Sequence, residues 1–175
     1  MRILDFINQG GAIMYILVAI NVLGIALMLY KFFEFLSEQK RIDLTANALA
    51  KEIQETSDKS DGNNTSAIVE LSKQELTYYM SRLEKGLNTV KIIAAISPLL
   101  GLLGTVIGVL MSFSQMAKGG MGDPSNFANG ISLALITTVG GLIVAIPHYI
   151  GHNYLVGSLD QLEAHLEKKL LSKVL

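Results

Sequence analysis

The chain has 175 residues, of which 50% are hydrophobic and only 17% are charged, and its mean hydropathy is +0.43. This balance is typical of a membrane protein and unusual for a soluble domain of the same length. A formal net charge of −1 without a long basic tract argues against nucleic-acid binding. The absence of cysteine excludes disulfides, thiolate nucleophiles and cysteine-based metal sites.

Residues 1–10 are predicted to form a short periplasmic N-terminus, and the first apolar run follows at residues 11–30. This run is long enough to cross a bilayer, which requires about 20 residues. No small-residue cleavage site closes it, so we interpret it as an uncleaved first transmembrane helix and not as a signal peptide. Asn21 is its one strongly polar residue, and a contact with a neighbouring helix is favoured over a position facing a pore.

Residues 31–91 mix charged residues with apolar residues at helical spacing. A cluster of turn-forming residues at 57–66 interrupts this pattern, which predicts a helical hairpin outside the membrane. The second arm is predicted to run without a clear stop into the next apolar segment.

The central segment, residues 92–117, is uncharged and is predicted to be the second transmembrane helix. Helical periodicity places its small and hydroxyl-bearing residues on one face. These residues are Ser97, Gly101, Gly104, Thr105, Gly108 and Ser112. The face has two interpretations: close helix packing through glycine, or hydroxyls that line a hydrated passage. Pro98 predicts a kink near the start of the helix.

Residues 118–126 are predicted to form a short periplasmic loop, residues 127–150 the third transmembrane helix, and residues 151–175 a C-terminal helical extension. The third helix again has small residues on one broad face, including Thr137, Thr138 and Gly141, and Pro147 predicts a kink. Nine of the fourteen Lys and Arg residues lie between residues 31 and 91, and three follow residue 150. The positive-inside rule therefore predicts that the hairpin and the C-terminus are cytoplasmic.

No catalytic constellation, cofactor or metal site is predicted. Hydroxyl groups alone cannot take up and release a proton at neutral pH, and the second and third spans contain no ionisable side chain before His148. If the chain conducts protons, another protein must supply the carboxylate. His148 and His152 have a spacing that suits metal chelation, but without a third ligand we interpret them as groups at the membrane interface.

Two segments resemble the ExbB/TolQ/MotA family of ion-driven motor subunits, and ExbB proteins most closely. The first runs from Ser97-Pro98 through Gly101, Gly104-Thr105 and Gly108 to Ser112-Phe113. The second comprises Gly130-Ile131, Ala134-Leu135, Thr138, Gly141-Leu142 and Ala145-Ile146-Pro147, with Asn153 just beyond.

The resemblance implies an all-α inner-membrane protein with long cytoplasmic extensions, assembled as a pentamer whose second and third helices line a pore. ExbD-like single-span partners, each with an intramembrane aspartate, would occupy that pore, and the complex would use the proton gradient to energise a TonB-like protein for outer-membrane uptake. Thr105 and Thr138 match the family's pore threonines, with Thr137 and Ser112 as further candidates for the proton pathway. Gly101, Gly104, Gly108 and Gly141 are the predicted packing positions.

One departure concerns Leu133, which stands where many ExbB proteins have a glutamate. A mechanism that requires this glutamate cannot operate here unless another residue substitutes for it. The alternatives are a TolQ-like subunit that serves envelope integrity, and a scaffold that conducts no ions and uses the small faces for packing alone.

Overall fold

The computed structural model describes residues 3–58, 65–119 and 124–174, and within these ranges every element is an α-helix. The helices are α1 (Ile3–Gln9), α2 (Gly11–Asp58), α3 (Thr65–Glu84), α4 (Leu87–Gly119) and α5 (Pro124–Val174). The predicted all-α fold is therefore confirmed. Most of the predicted turn at 57–66 and the centre of the predicted loop at 118–126 lie outside the described residues.

Three helices are long and apolar enough to cross a membrane, which confirms the predicted number of spans. The candidate spans lie within Gly11–Glu55, Leu87–Ala117 and Ala128–Val174. Their most apolar windows are only 17%, 33% and 39% buried within the chain. Most of the apolar surface in these windows therefore faces outward, where lipid or neighbouring protein can cover it.

The chain divides into two compact units, and the first comprises Met1–Met28 and Thr89–His152. Its core contains apolar side chains from α2, α4 and α5: Met14, Leu17, Ile93, Ile136 and Val144. Phe6 and Ile7 of the short helix α1 pack against the same core. This unit contains the small-residue faces predicted from the sequence.

Helices α2 and α5 pack closely in the first unit because large side chains fit against glycines. A Cβ atom on Gly140 would lie 2.7 Å from Cε of Met14, and one on Gly24 would collide with the His148 ring. A Cβ on Gly151 would collide with Sδ of Met28. The contacts occur in the same order along both helices, so α2 and α5 run parallel.

The second unit comprises Leu29–Asn88 and Asn153–Leu175. Its buried apolar residues recur at helical spacing on α2, α3 and α5. They include Phe35, Leu49, Ile53, Leu76, Met80, Leu83, Leu155, Leu159, Leu162, Leu166 and Leu170. Polar contacts join the same helices: the Tyr79 hydroxyl donates to Glu38 Oε2 at 2.7 Å, and Lys169 forms an ion pair with Asp43.

The predicted continuous helix from the hairpin into the second span is wrong, because the helix breaks between α3 and α4. Gly86 has a φ of 96°, a left-handed conformation that ends helices and that glycine adopts without steric cost. A second break, at Gly11 with a φ of 61°, separates α1 from α2. Gly10 N–H donates to the Phe6 carbonyl at 3.1 Å and completes the last turn of α1.

Lys31 stabilises the end of α3 beside the break at Gly86. Its side chain is buried, and its ammonium group donates to the Leu83 carbonyl at 3.0 Å and to Glu34 Oε2 at 2.5 Å. A cation beside the last carbonyls of a helix interacts favourably with the helix dipole. Burial of this charge is therefore compensated by one carboxylate and by one carbonyl that the helix leaves unpaired.

Candidate functional site

Helices α4 and α5 approach so closely that their backbones touch at the glycines. A Cβ on Gly101 would lie 2.8 Å from the Thr137 carbonyl oxygen, and one on Gly108 would lie 2.6 Å from the Gly130 carbonyl oxygen. A Cβ on Gly141 would lie 2.5 Å from the Ser97 carbonyl oxygen. Real Cβ atoms do not come this near to backbone atoms, so this geometry requires glycine at all three positions.

Gly104 forms the fourth close contact, and here the neighbour is a side chain. Its missing Cβ leaves the space that Thr137 occupies: a Cβ would lie 2.8 Å from Cγ2 of Thr137 and closer still to its Cβ and Oγ1. The small-residue faces of the two spans therefore meet each other within one chain. The glycines act as packing residues in this contact.

The close approach brings two threonine hydroxyls together. Oγ1 of Thr105 and Oγ1 of Thr138 are 2.5 Å apart. Around them lie two backbone carbonyl oxygens, of Gly101 and Ala134, each 3.2–3.4 Å from the hydroxyl oxygens. The pair thus bridges α4 and α5 through a small cluster of oxygen atoms.

The hydroxyl pair can donate or accept a hydrogen bond without a change of charge. One hydroxyl donates to the other, and the second hydroxyl can direct its proton to a carbonyl. Lone pairs remain on the hydroxyl that acts as donor, so it can accept from a protonated carboxyl group. If the bond between the two hydroxyls reverses, or if the hydroxyl that donates to a carbonyl releases it, a hydroxyl proton becomes free. The same pair can then donate a hydrogen bond to a carboxylate.

Exposure separates the four predicted pathway residues into two pairs. Thr105 and Thr138 are only half-buried, whereas Thr137 and Ser112 are 0% and 1% exposed within the chain. Thr137 donates to carbonyls of its own helix, and Ser112 donates to the Gly108 carbonyl and lies against Gly130. A partner outside the chain could therefore contact the first pair without rearrangement, but not the second.

Pro98 and Pro147 lie inside α4 and α5, and both helices continue past them. Each proline removes one backbone donor, so one carbonyl in the preceding turn lacks its usual partner. The predicted kinks stay predictions.

The side chain of His148 is completely buried in the first unit, and its expected position at the membrane interface stays a prediction. The ring lies against Gly24 of α2 and near Ile93 of α4. His152, one turn further along α5, is partly exposed. Among the described residues no group of three or more His, Asp or Glu side chains could hold a metal ion.

The roles of Gly24 and Lys31 were not predicted from the sequence. Gly24 lies inside an apolar helical run, and a glycine in the interior of a helix is a signal for close helix contact. Lys31 directly follows the first span, where a cation is ordinarily solvated. Its burial becomes visible only in the structure, through its contacts with the Leu83 carbonyl and the Glu34 carboxylate.

Residues 40–168 match the MotA/TolQ/ExbB proton channel family. This match covers most of the chain and includes both spans that form the threonine contact. The chain belongs to this family. The resemblance predicted from the two segments of the second and third spans is thereby confirmed.

Several proteins named as ExbB are similar to this family member. A Methanothermobacter thermautotrophicus protein named a biopolymer transport protein ExbB homolog is 30% identical over 182 aligned residues, which cover 90% of this chain and 64% of that protein. The biopolymer transport protein exbB1 of Vibrio cholerae is 41% identical over 86 residues, which cover 49% of this chain and 38% of that protein. The biopolymer transport protein ExbB of Aquifex aeolicus is 42% identical over 74 residues, which cover 42% of this chain and 50% of that protein.

The chain matches about two-fifths to two-thirds of the length of these relatives. The family is described as a proton channel family. The relatives' names describe biopolymer transport by those proteins.

Proposed function

We propose that this chain is the proton-channel subunit of an ExbB-type motor in a bacterial inner membrane, with the N-terminus periplasmic and the C-terminus cytoplasmic. In this proposal the chain forms a homo-oligomer, a pentamer by resemblance. The second and third spans surround a single-span, ExbD-like partner that carries an intramembrane aspartate. Proton-motive force then powers a TonB-like protein for outer-membrane uptake.

The single observation that carries the proposal is the half-buried hydroxyl pair of Thr105 and Thr138 at the contact between α4 and α5. Neither hydroxyl can carry a proton at neutral pH, so the pair acts beside a carrier and does not replace it. The partner's aspartate is the group that binds and releases the proton. The threonines accept a hydrogen bond from its protonated form and donate to its ionised form.

This division of work fits the chemistry of the spans. Net transfer of protons through hydrocarbon ordinarily requires an ionisable group, and residues 92–117 and 127–147 contain none. Each proton that moves down the gradient supplies about 2.3 kcal/mol for every 100 mV of membrane potential. Several protons could therefore drive a rotation or displacement of the partner within the ring.

The test is Thr138→Val, which keeps the size of the side chain and removes the hydroxyl. The chain is expressed with the single-span protein of its own genome in a strain that lacks its endogenous ExbB and TolQ. Uptake that depends on the gradient is expected to fall at least tenfold, because one missing hydrogen bond to a charged group is worth about 1.5–3 kcal/mol. The oligomer and its partner should still purify together.

Thr77→Val is the matched control, because Thr77 lies on the exposed side of α3 outside the spans and undergoes the same chemical change. Normal uptake with Thr138→Val would refute the role of the hydroxyl pair and favour a scaffold. If the wild-type chain restores resistance to detergent in this strain but does not restore uptake, the chain has a TolQ-like function instead.

A further inference from the structure

Two buried polar atoms in the first unit have no hydrogen-bond partner among the described residues. They are Nε2 of His148, on α5, and Oδ1 of Asn21, on α2. An unpartnered polar atom costs about 1–3 kcal/mol in a protein interior, and inside a membrane no bulk water is available to replace the partner. Each atom therefore requires a partner that the present side-chain orientations do not provide.

The two atoms belong to α2 and α5, which pack against each other at Gly24. Nε2 of His148 occupies the space beside the Cα of Gly24 where a side chain would begin. Asn21 precedes Gly24 by three residues, so both lie on the same face of α2. Ile93 of α4 also lies near this position, and its side chain has no polar group.

The hydrogen bond at the other ring nitrogen fixes which partner Nε2 needs. Nδ1 of His148 lies 2.7 Å from the Val144 carbonyl oxygen. A carbonyl only accepts, so Nδ1 carries a proton, and a ring with this single proton presents a lone pair at Nε2. In this tautomer the partner of Nε2 must be a donor.

Asn21 can supply that donor. The oxygen and nitrogen of an asparagine amide are nearly equal in shape, and a half-turn about the last side-chain bond exchanges them. The exchange puts an NH2 group in the place of the unpaired Oδ1. Asn21 would then offer the donor that Nε2 of His148 lacks.

We propose that Asn21 and His148 form an interhelical polar site in which the Asn21 amide donates to Nε2 of His148 and fixes the register of α2 against α5. Asn21 is a positioning residue that acts through His148. The proposal does not depend on proton conduction, since the site lies within the core of one chain and includes neither hydroxyl of the threonine pair.

The test is 15N nuclear magnetic resonance of the full chain in lipid vesicles, with His152→Gln and His165→Gln so that His148 is the only labelled histidine. The expected wild-type spectrum has a protonated Nδ1 and an unprotonated, hydrogen-bonded Nε2. In Asn21→Leu the Nε2 resonance should shift to that of an unbonded nitrogen, while Asn21→Ser, which restores a donor, should reverse part of the shift.

A double-mutant cycle with Asn21→Leu and His148→Leu gives an independent measurement. The expected coupling is about threefold to twentyfold in the folding equilibrium constant, the usual range for interhelical hydrogen bonds in membranes. A proton on Nε2 in the wild-type chain, or a His148 spectrum that ignores Asn21→Leu, would overturn the proposal. If Asn21→Leu does not fold, the wild-type spectrum decides through the presence or absence of a cross-peak between Nε2 and an asparagine side-chain nitrogen.

Discussion

Replacement of Gly104 by alanine tests whether the space at this glycine determines the α4–α5 contact. The added Cβ would lie 2.8 Å from Cγ2 of Thr137, whereas carbon atoms in contact are normally about 3.5–4.0 Å apart. A different rotamer of Thr137 cannot relieve the conflict, because its own Cβ is even closer. The helices must therefore separate by roughly 1 Å at this level.

Such overpacking typically costs about 1–3 kcal/mol of folding free energy. The same separation would stretch the 2.5 Å contact between Thr105 and Thr138 to about the limit of a hydrogen bond. We therefore expect Gly104→Ala to reduce both the folding equilibrium constant and the gradient-driven activity. The first is measured by unfolding the full chain from mixed micelles and recording helical circular dichroism.

Thr137→Gly provides the compensating change, because the three atoms nearest to the new Cβ all belong to the Thr137 side chain. The double variant should be more stable than the sum of the two single effects predicts, by about 1 kcal/mol or more. Gly157→Ala is the matched control: a Cβ there meets nothing within 4 Å, so alanine should stabilise the helix by about 0.5–1 kcal/mol. Strictly additive effects in the double variant would refute the contact.

Three further predictions concern the second compact unit. Gly86→Ala should destabilise the chain by about 1–2 kcal/mol in thermal unfolding, because an L side chain is strained at a φ of 96°. Burial and the neighbouring Glu38 carboxylate raise the pKa of Tyr79 to about 12. The contribution of its hydroxyl to stability should therefore be complete below pH 10 and lost as the pH rises through 12. Tyr79→Phe should remove this alkaline step from a plot of stability against pH. The hydrogen bond and charge of Lys169 lower the pKa of Asp43, so the ion pair contributes at neutral pH and is lost as the pH falls through this lowered pKa. Lys169→Met should therefore lower the melting temperature slightly at pH 7, and this effect should shrink as the pH falls.

The small-residue faces could be predicted from the sequence because they depend on periodicity within single helices. Residues three, four or seven positions apart share a helix face, so the glycine pattern that includes Gly101, Gly104 and Gly108 placed that face correctly. The break at Gly86 was not predicted, because apolar residues continue at helical spacing on both sides of it. One glycine in a left-handed conformation ends a helix without changing that spacing.

Burial of His148 could not be predicted because it depends on a residue far away in the sequence. The ring fits within the first unit only because Gly24, on another helix, has no side chain at the point of contact. A histidine four residues before another, at the charged end of an apolar run, has the local pattern of an interfacial group. Lys31 is a comparable case, since its buried position depends on a carbonyl 52 residues away along the chain.

Leu133 stands at the position where the resemblance leads one to expect a carboxylate. Its side chain is half-buried, and its Cδ1 would lie 3.9 Å from a Cβ on Gly11, at the start of α2. An apolar side chain suits this place beside the break between α1 and α2. Its carbonyl oxygen accepts the hydroxyl of Thr137, which also packs against Gly104.

A glutamate at 133 would therefore extend from α5 toward the start of α2, whereas Thr138 contacts Thr105 on α4. Leu133→Glu should test whether the two positions act together. If proton transfer requires a carboxylate only from the partner, the substitution should destabilise packing near Gly11 and leave the hydroxyl requirement at Thr138 unchanged. If Leu133→Glu instead restored uptake to Thr138→Val, the carboxylate and the hydroxyl would serve the same step, and the separation of their roles by helix face would be wrong.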